Sequence, residues 1–250
     1  MTPFPIPAPA FKGESRAVSA DNAFGWLNYG WALFLASPSL WLALAGVVLV
    51  GMLVLGFVPW IGHPLASFLV PLLAIGLLHV CRKIADDQPA QFSDMWVAFR
   101  RSEDLHKRWA LAVFYMLATW IVFQTVTFFG WGRLAAYGDY GPVGSSPGLG
   151  TALAGVLLAM LILLAFSVPL FMAMWFAPAL VYFNRMPVPE ALKASFEACL
   201  KNGLPLAAFG LVVMVLAVFS VLSAGLGLLV LIPVLAGANH ASYRDVFVAN

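Results

Sequence analysis

Residues 204–243 read LPLAAFGLVVMVLAVFSVLSAGLGLLVLIPVLAGANHASY, forty consecutive positions without an Asp, Glu, Lys or Arg. A helix that crosses a bilayer needs about 20 apolar residues, within a range of roughly 17 to 25. Forty is too many for one crossing and enough for two. The small residues Ser223-Ala224-Gly225-Leu226-Gly227 supply a break, because Gly and Ser clusters mark turns between periodic segments. The stretch therefore divides into spans over 204–222 and 226–243.

The same measure applied toward the N-terminus finds four more spans. Thr151 to Phe183 is a run of 33 uncharged residues, about 50 Å long as one helix against a hydrocarbon core of about 30 Å. Two spans and a turn barely fit there and would move every later basic residue across the membrane. One long helix, kinked near Pro169 or Pro178, is the expectation. Trp109 to Phe129 makes a span opened by Lys107-Arg108. Leu40 to Val58 and Leu65 to Cys81 make two more, joined by Pro59-Trp60-Ile61-Gly62-His63-Pro64.

Composition agrees. Of 250 residues, 62% are hydrophobic and 10% charged, with a mean hydropathy of +0.93. A soluble domain carries about 25% charged residues, so water cannot be this chain's main solvent. A net charge of +2 gives no footprint for nucleic acid. Residues 1–19, with prolines at 3, 5, 7 and 9, read as a disordered cytosolic tail. That tail has neither the basic nor the apolar region of a cleavable signal peptide. Residues 20–245 form a single transmembrane domain.

Charge placement sets the orientation. Of 13 Lys and Arg, 12 fall in the N-terminal tail, the connectors 82–108 and 185–201, or the C-terminal tail, and Arg133 alone lies opposite. The positive-inside rule puts both termini in the cytosol of a bacterial inner membrane, in agreement with an even number of spans. Cys81 and Cys199 then sit near the reducing side and are expected to be free packing residues.

A short helical segment precedes each pair of spans. Phe24, Leu27, Trp31, Phe34 and Leu35 share helical spacing, as do Phe92, Met95, Trp96 and Phe99, with Ser93 as a candidate N-cap. Leu192, Phe196, Cys199 and Leu200 do the same, opposite a face of Glu190, Lys193, Glu197 and Lys201. Phe24 to Trp41, Phe92 to Trp109 and Val188 to Pro205 are each 17 residues apart. The expected fold is thus all-α: six transmembrane helices as three hairpins, each preceded by a short interfacial amphipathic helix.

The entry Gly25-Trp26, Gly30-Trp31, Phe34, Pro38, Trp41 and the later Ala194-Ser195-Phe196 and Asn202-Gly203 resemble a bacterial inner-membrane family named from a Burkholderia locus. The resemblance covers residues 20–245 and implies six spans. That family has no assigned activity, so the resemblance implies no catalytic residue.

Chemistry-bearing residues are sparse. Within the six spans there is no Asp, Glu, Lys or Arg, although intramembrane charges usually mark ion or proton pathways. The candidate polar groups are Gln124 in the third span and His79 and His240, which precede Arg82 and Arg244 by three and four residues. Gln124 can line a path or bond to a neighbouring helix. The two histidines can be interfacial residues of a repeated unit or can share a metal, but only Cys81 stands at ligand spacing. No metal or other cofactor is therefore expected. Glu103, Asp104 and His106 read as a solvated loop, and residues 130–150, with seven glycines, as a flexible periplasmic loop. Arg100, Arg101, Lys107 and Arg108 form a juxtamembrane cluster that attracts anionic headgroups or fixes topology.

The expectation is a scaffold, accessory or lipid-organising component, not an enzyme, whose partners are membrane lipids and other membrane proteins. The alternative is an uncoupled transport or conduction pathway for an apolar or amphiphilic substrate. A wide cavity between spans, polar on one side, discriminates for the second.

Overall fold

A computed structural model describes residues 14–139 and 149–248, and among them it is helical with no strand. Helix α1 covers Asn22–Ala36, α2 Pro38–Gly56 and α3 Gly62–Ala85. A 3-10 helix, Phe92–Phe99, precedes α4, Leu105–Asp139. Then come α5 Leu149–Phe183, α6 Val188–Lys201, α7 Gly203–Leu222 and α8 Leu228–Tyr243. A π-turn, Arg244–Val248, follows α8.

Helices α2, α3, α4, α5 and α7 are long and apolar enough to cross a membrane. Helix α8, with 16 residues, is about 24 Å long and falls short of that length. Pro38 opens α2 at its first turn, where its missing N–H is not needed. The α7–α8 break falls where the glycines predict it, with Ala224 and Gly225 at φ 57° and 83°. Helix α5 is one continuous helix that contains both Pro169 and Pro178.

The third span was expected to end at Phe129 and a loop to fill 130–150. Instead α4 runs to Asp139. Each of Gly130, Gly132 and Gly138 costs a helix only about 1 kcal/mol, and no proline stands between Leu105 and Pro142. Residues 140–148 of that loop lie outside the described residues. So do residues 1–13 of the tail expected to be disordered. From Ser15 to Val18 the chain is held: Arg16 bonds to Asp245, and Asn202 Oδ1 accepts from the Val18 N–H at 2.8 Å.

All three short segments are helical, but each buries only part of its expected apolar face, Phe34, Met95 and Cys199 being inside, and adds smaller residues to it. Helix α1 buries Ala23, Trp26, Gly30, Leu33 and Phe34, leaving Phe24, Trp31 and Leu35 exposed. The 3-10 helix buries Asp94, Met95 and Ala98, and Phe92 and Trp96 are exposed. Helix α6 buries Ala191, Ser195, Ala198 and Cys199, while Leu200 is 61% exposed. Its expected run of ion pairs reduces, among the described residues, to an exposed Lys193–Glu197 contact at 3.8 Å.

Close approach explains the choice. Helix α1 packs on α8 so tightly that a Cβ on Gly30 would lie 2.2 Å from the Val234 carbonyl oxygen, and one on Gly237 would lie 2.6 Å from the Gly30 Cα. The 3-10 helix meets α3 the same way, with the Met95 oxygen 1.9 Å from a Cβ built on Gly76. Helix α6 meets α5 through Ser195, whose hydroxyl donates to the Met172 carbonyl at 2.8 Å and accepts from the Phe176 N–H at 2.9 Å. That hydroxyl stands between the two ends of an ordinary i to i−4 helical bond.

Gly30→Ala and Gly237→Ala should each destabilise the protein by about 1–3 kcal/mol through overpacking. Gly46→Ala and Gly51→Ala, where a Cβ would meet nothing, should be neutral or stabilising by up to about 1 kcal/mol. Thermal unfolding in neutral detergent reads the difference, and equal losses at all four positions would contradict the packing.

Candidate functional site

The charged connectors that follow α3 and α5 and precede α4 meet at one end of the bundle, with Lys107 bonded to the Arg185 carbonyl and Arg82 over the Phe183 ring. Lys83, at the end of α3, donates to Asp94 of the 3-10 helix at 2.7 Å. The same carboxylate accepts the Gln91 N–H at 2.8 Å, so Gln91 caps this helix and Ser93, the expected cap, does not. Burial alone would raise the Asp94 pKa, but the bonds from Lys83 and the Gln91 backbone outweigh it and hold it below the usual carboxylate range.

Arg108, at the start of α4, is 8% exposed. It donates to the Val97 carbonyl at 3.0 Å and lies over the Tyr182 ring, 5.0 Å from its centroid. Tyr182 in turn hydrogen-bonds His79 Nδ1 at 2.9 Å. Lys107 bonds to Asp104 and to the Arg185 carbonyl, each at 2.8 Å. The Lys107 bond, with the charges of Lys107, Arg185 and Arg108, holds Asp104 below its ordinary pKa. Asp104, expected in a solvated loop, therefore joins α4 to the α5–α6 connector through Lys107 and Arg185.

The expected cluster of four basic residues is thus divided. Arg100 and Arg101 are exposed, and Arg100 also reaches the Ser93 carbonyl at 3.2 Å. Lys107 and Arg108 are committed within the protein. Their sequence spacing from the first pair gives no sign of this, because the partners come from elsewhere in the fold.

His79 and His240 are not brought together at a shared ligand. His79 meets Tyr182, and His240 meets the next residue, Phe183, with ring centroids 6.0 Å apart. His240 is 3% exposed and stacks on Tyr29 at 6.1 Å. Gln124 is exposed on the surface of α4. Among the described residues, no three His, Cys, Asp or Glu side chains gather at metal-binding range. Both cysteines are free and buried, and burial pushes the Cys199 thiol up to about 12.

Several polar residues at this end carry no sequence signature. Asp245 accepts from Asn22 at 2.6 Å and from Trp26 at 3.0 Å in addition to Arg16. Asn202 donates to the Arg16 carbonyl at 2.9 Å while accepting from Val18. Tyr243 donates to Asn184 at 2.6 Å, and Asn239 to the Trp175 carbonyl at 3.0 Å. Asn202 and Trp26 do lie in the two stretches that carry the family resemblance, a signal for importance though not for role.

Long apolar helices whose ion pairs, among the described residues, lie at helix ends, in connectors and on the short helix α6 define an integral α-helical membrane protein. Over 235 residues, 90% of this chain and 82% of the relative's, it is 28% identical to a protein of Burkholderia thailandensis named as a probable inner membrane protein. That similarity agrees with the resemblance carried by the Gly25-Trp26 and Ala194-Ser195-Phe196 stretches. No family model matches the chain, and no solved structure matches it.

Asp94→Asn should cost about 2 kcal/mol at neutral pH, the range for hydrogen bonds to charged groups. A carboxylate whose folded pKa is depressed stabilises above its unfolded pKa and loses that contribution as pH falls through the folded value. The gap in thermal midpoint between wild type and variant should therefore close below about pH 4. A gap independent of pH would remove Asp94 ionisation from the account.

Proposed function

We propose that the protein is a non-enzymatic component of the bacterial inner membrane, a scaffold or lipid-organising subunit with six spans and both termini in the cytosol. The observation that carries this reading is the use made of its ionisable side chains. Lys83 with Asp94, Arg108 with Val97 and Tyr182, and Arg16 with Asp245 all pin short helices or chain ends against the bundle. Outside that layer the helices present broad apolar faces, including Val50, Leu53 and Val54 of α2 and Leu211, Met214 and Val218 of α7. Such faces suit lipid or the helices of another membrane protein.

The sixth span is α8, whose short length local bilayer thinning accommodates at modest cost. Its C-terminal end shares a polar layer with the end of α3, which supports three hairpins that return to one side. The thrice-repeated 17-residue spacing supports a common unit of short helix plus hairpin. Impermeant maleimide should label Ser146→Cys in intact spheroplasts and leave Ala10→Cys unlabelled, with Cys81 and Cys199 replaced by alanine. The opposite pattern would invert the topology.

The exposed pair Arg100 and Arg101 is the part of the basic cluster left to meet headgroups. At about 1 kcal/mol per charge, Arg100→Gln with Arg101→Gln should lower the preference for phosphatidylglycerol over phosphatidylcholine by up to about thirtyfold. Brominated-lipid quenching measures that preference, and the effect should shrink as salt screens the charges. An unchanged preference would remove the lipid-organising half of the proposal.

One observation favours the second reading, an uncoupled path for an apolar or amphiphilic substrate. An apolar groove follows α2 along Leu42, Ala43, Gly46, Val47, Val50 and Gly51. It is lined by a single helix and not by the several spans and polar side that a pathway calls for, so the scaffold reading is preferred.

A further inference from the structure

Four groups at the charged end, between α1, α3 and α8, are left with hydrogen-bond donors or positive charge in excess. The Tyr29 hydroxyl and His240 Nδ1 are buried and have no hydrogen-bond partner among the described residues. Their rings are stacked at 6.1 Å, with 21° between planes. Arg244, one turn beyond His240, lies close to both groups, and its guanidinium stands beside the Tyr29 hydroxyl. Among the described residues it has no carboxylate partner, because neighbouring Asp245 is taken by Arg16, Asn22 and Trp26. Arg82 lies over Phe183, 5.6 Å from the ring centroid, and Phe183 packs edge-on against His240. A second acid, Asp86, is held by Arg82 at 3.6 Å.

The balance is a positive one. With Asp245 taken by Arg16, the guanidiniums of Arg82 and Arg244 are left with one carboxylate, and the Tyr29 phenol and the His240 imidazole have no acceptor among the described residues. A buried polar group without a partner is costly, and this set is complemented by an acceptor that carries negative charge. An oxyanion with several oxygens serves both needs, since charge-assisted bonds to guanidinium are among the strongest a protein makes. The charged end is read as lying at the cytosolic headgroup level, where anionic phospholipids concentrate.

We propose that Arg244, Arg82, Tyr29 and His240 form a binding site for the phosphate of an anionic phospholipid. Arg244 supplies the main charge, Arg82 a second charge at the rim, and Tyr29 and His240 the donors. This deepens the lipid-organising reading and rests on its placement of the charged end at the headgroups. The site is distinct from Arg100 and Arg101: it takes one lipid in a defined pose, whereas they attract headgroups in general.

Native mass spectrometry of the full chain, released from neutral detergent and titrated with phosphatidylglycerol or phosphatidylcholine, tests it. Wild type should retain one phosphatidylglycerol about tenfold more tightly than phosphatidylcholine, the lower end of what one charge-assisted bond contributes. Arg244→Gln and Tyr29→Phe should each bring that first affinity close to the phosphatidylcholine value. Arg100→Gln with Arg101→Gln should leave it intact while lowering the weaker, later additions, so the two lipid readings fail separately. Circular dichroism and gel filtration confirm folding, and Tyr29→Phe, which removes one hydroxyl, decides the matter if Arg244→Gln does not fold. An unchanged first phosphatidylglycerol in Tyr29→Phe and in any folded Arg244→Gln overturns the site. Displacement of that lipid by inorganic phosphate at equal concentration overturns the lipid assignment in favour of a soluble anion.

Discussion

The contact on which the bundle depends is the one between Gly30 and Gly237. With no Cβ on either residue, the backbones of α1 and α8 approach to a separation that any other side chain would occupy. In lipid the hydrophobic effect cannot drive helices together, because acyl chains are as apolar as leucine; association rests on close packing and hydrogen bonds. Once α1 is seated, Trp26 reaches Asp245, Trp41 donates to the Leu33 carbonyl at 2.9 Å, and Tyr29 is laid against His240. The Trp26 and Tyr29 contacts cross from α1 to α8 or the turn beyond it, beside the glycine contact.

This dependence explains which residues the two resemblance-bearing stretches contain. Gly30, Trp26 and Trp41 in the first, and Ser195 and Asn202 in the second, join one helix to another or a chain end to the bundle. They are joints between elements of the bundle. The polar residues that a search for chemistry selects, His79 and Gln124, have plainer surroundings: one is bonded to Tyr182 and the other is exposed.

The apolar helices and the Ser223–Gly227 break were legible because span length and turn chemistry are local properties. So was the single long helix over residues 151–183, which contains its two prolines as expected. The buried faces of the short helices were legible only in part, through Phe34, Met95 and Cys199. In water, a stripe such as Phe24, Trp31 and Leu35 marks the core side of a helix, but beside a bilayer large apolar groups are at ease outside and small ones are needed within. Reading α1 for Ala23 and Gly30, and α6 for Ala191, Ser195 and Ala198, would have found the packed side. The end of α4 was missed for another reason: glycines weaken a helix without stopping it. The commitments of Arg108 and Asp94 lie deeper still, since their partners come from other helices or from segments eleven residues away.

The bond between Arg16 and Asp245 joins positions 229 residues apart. A ribosome adds about 5–20 residues per second, so Arg16 emerges roughly ten to forty-five seconds before its partner. Helix α1 leaves the ribosome in the same early interval, apolar nearly all round, with its glycine face open until α8 is made. For that time it needs a temporary neighbour, which lipid headgroups or the insertion machinery can supply. Helix α8, made more than 190 residues after α1, is thus the one that covers the glycine face of α1, and the order of translation becomes part of how this membrane domain closes.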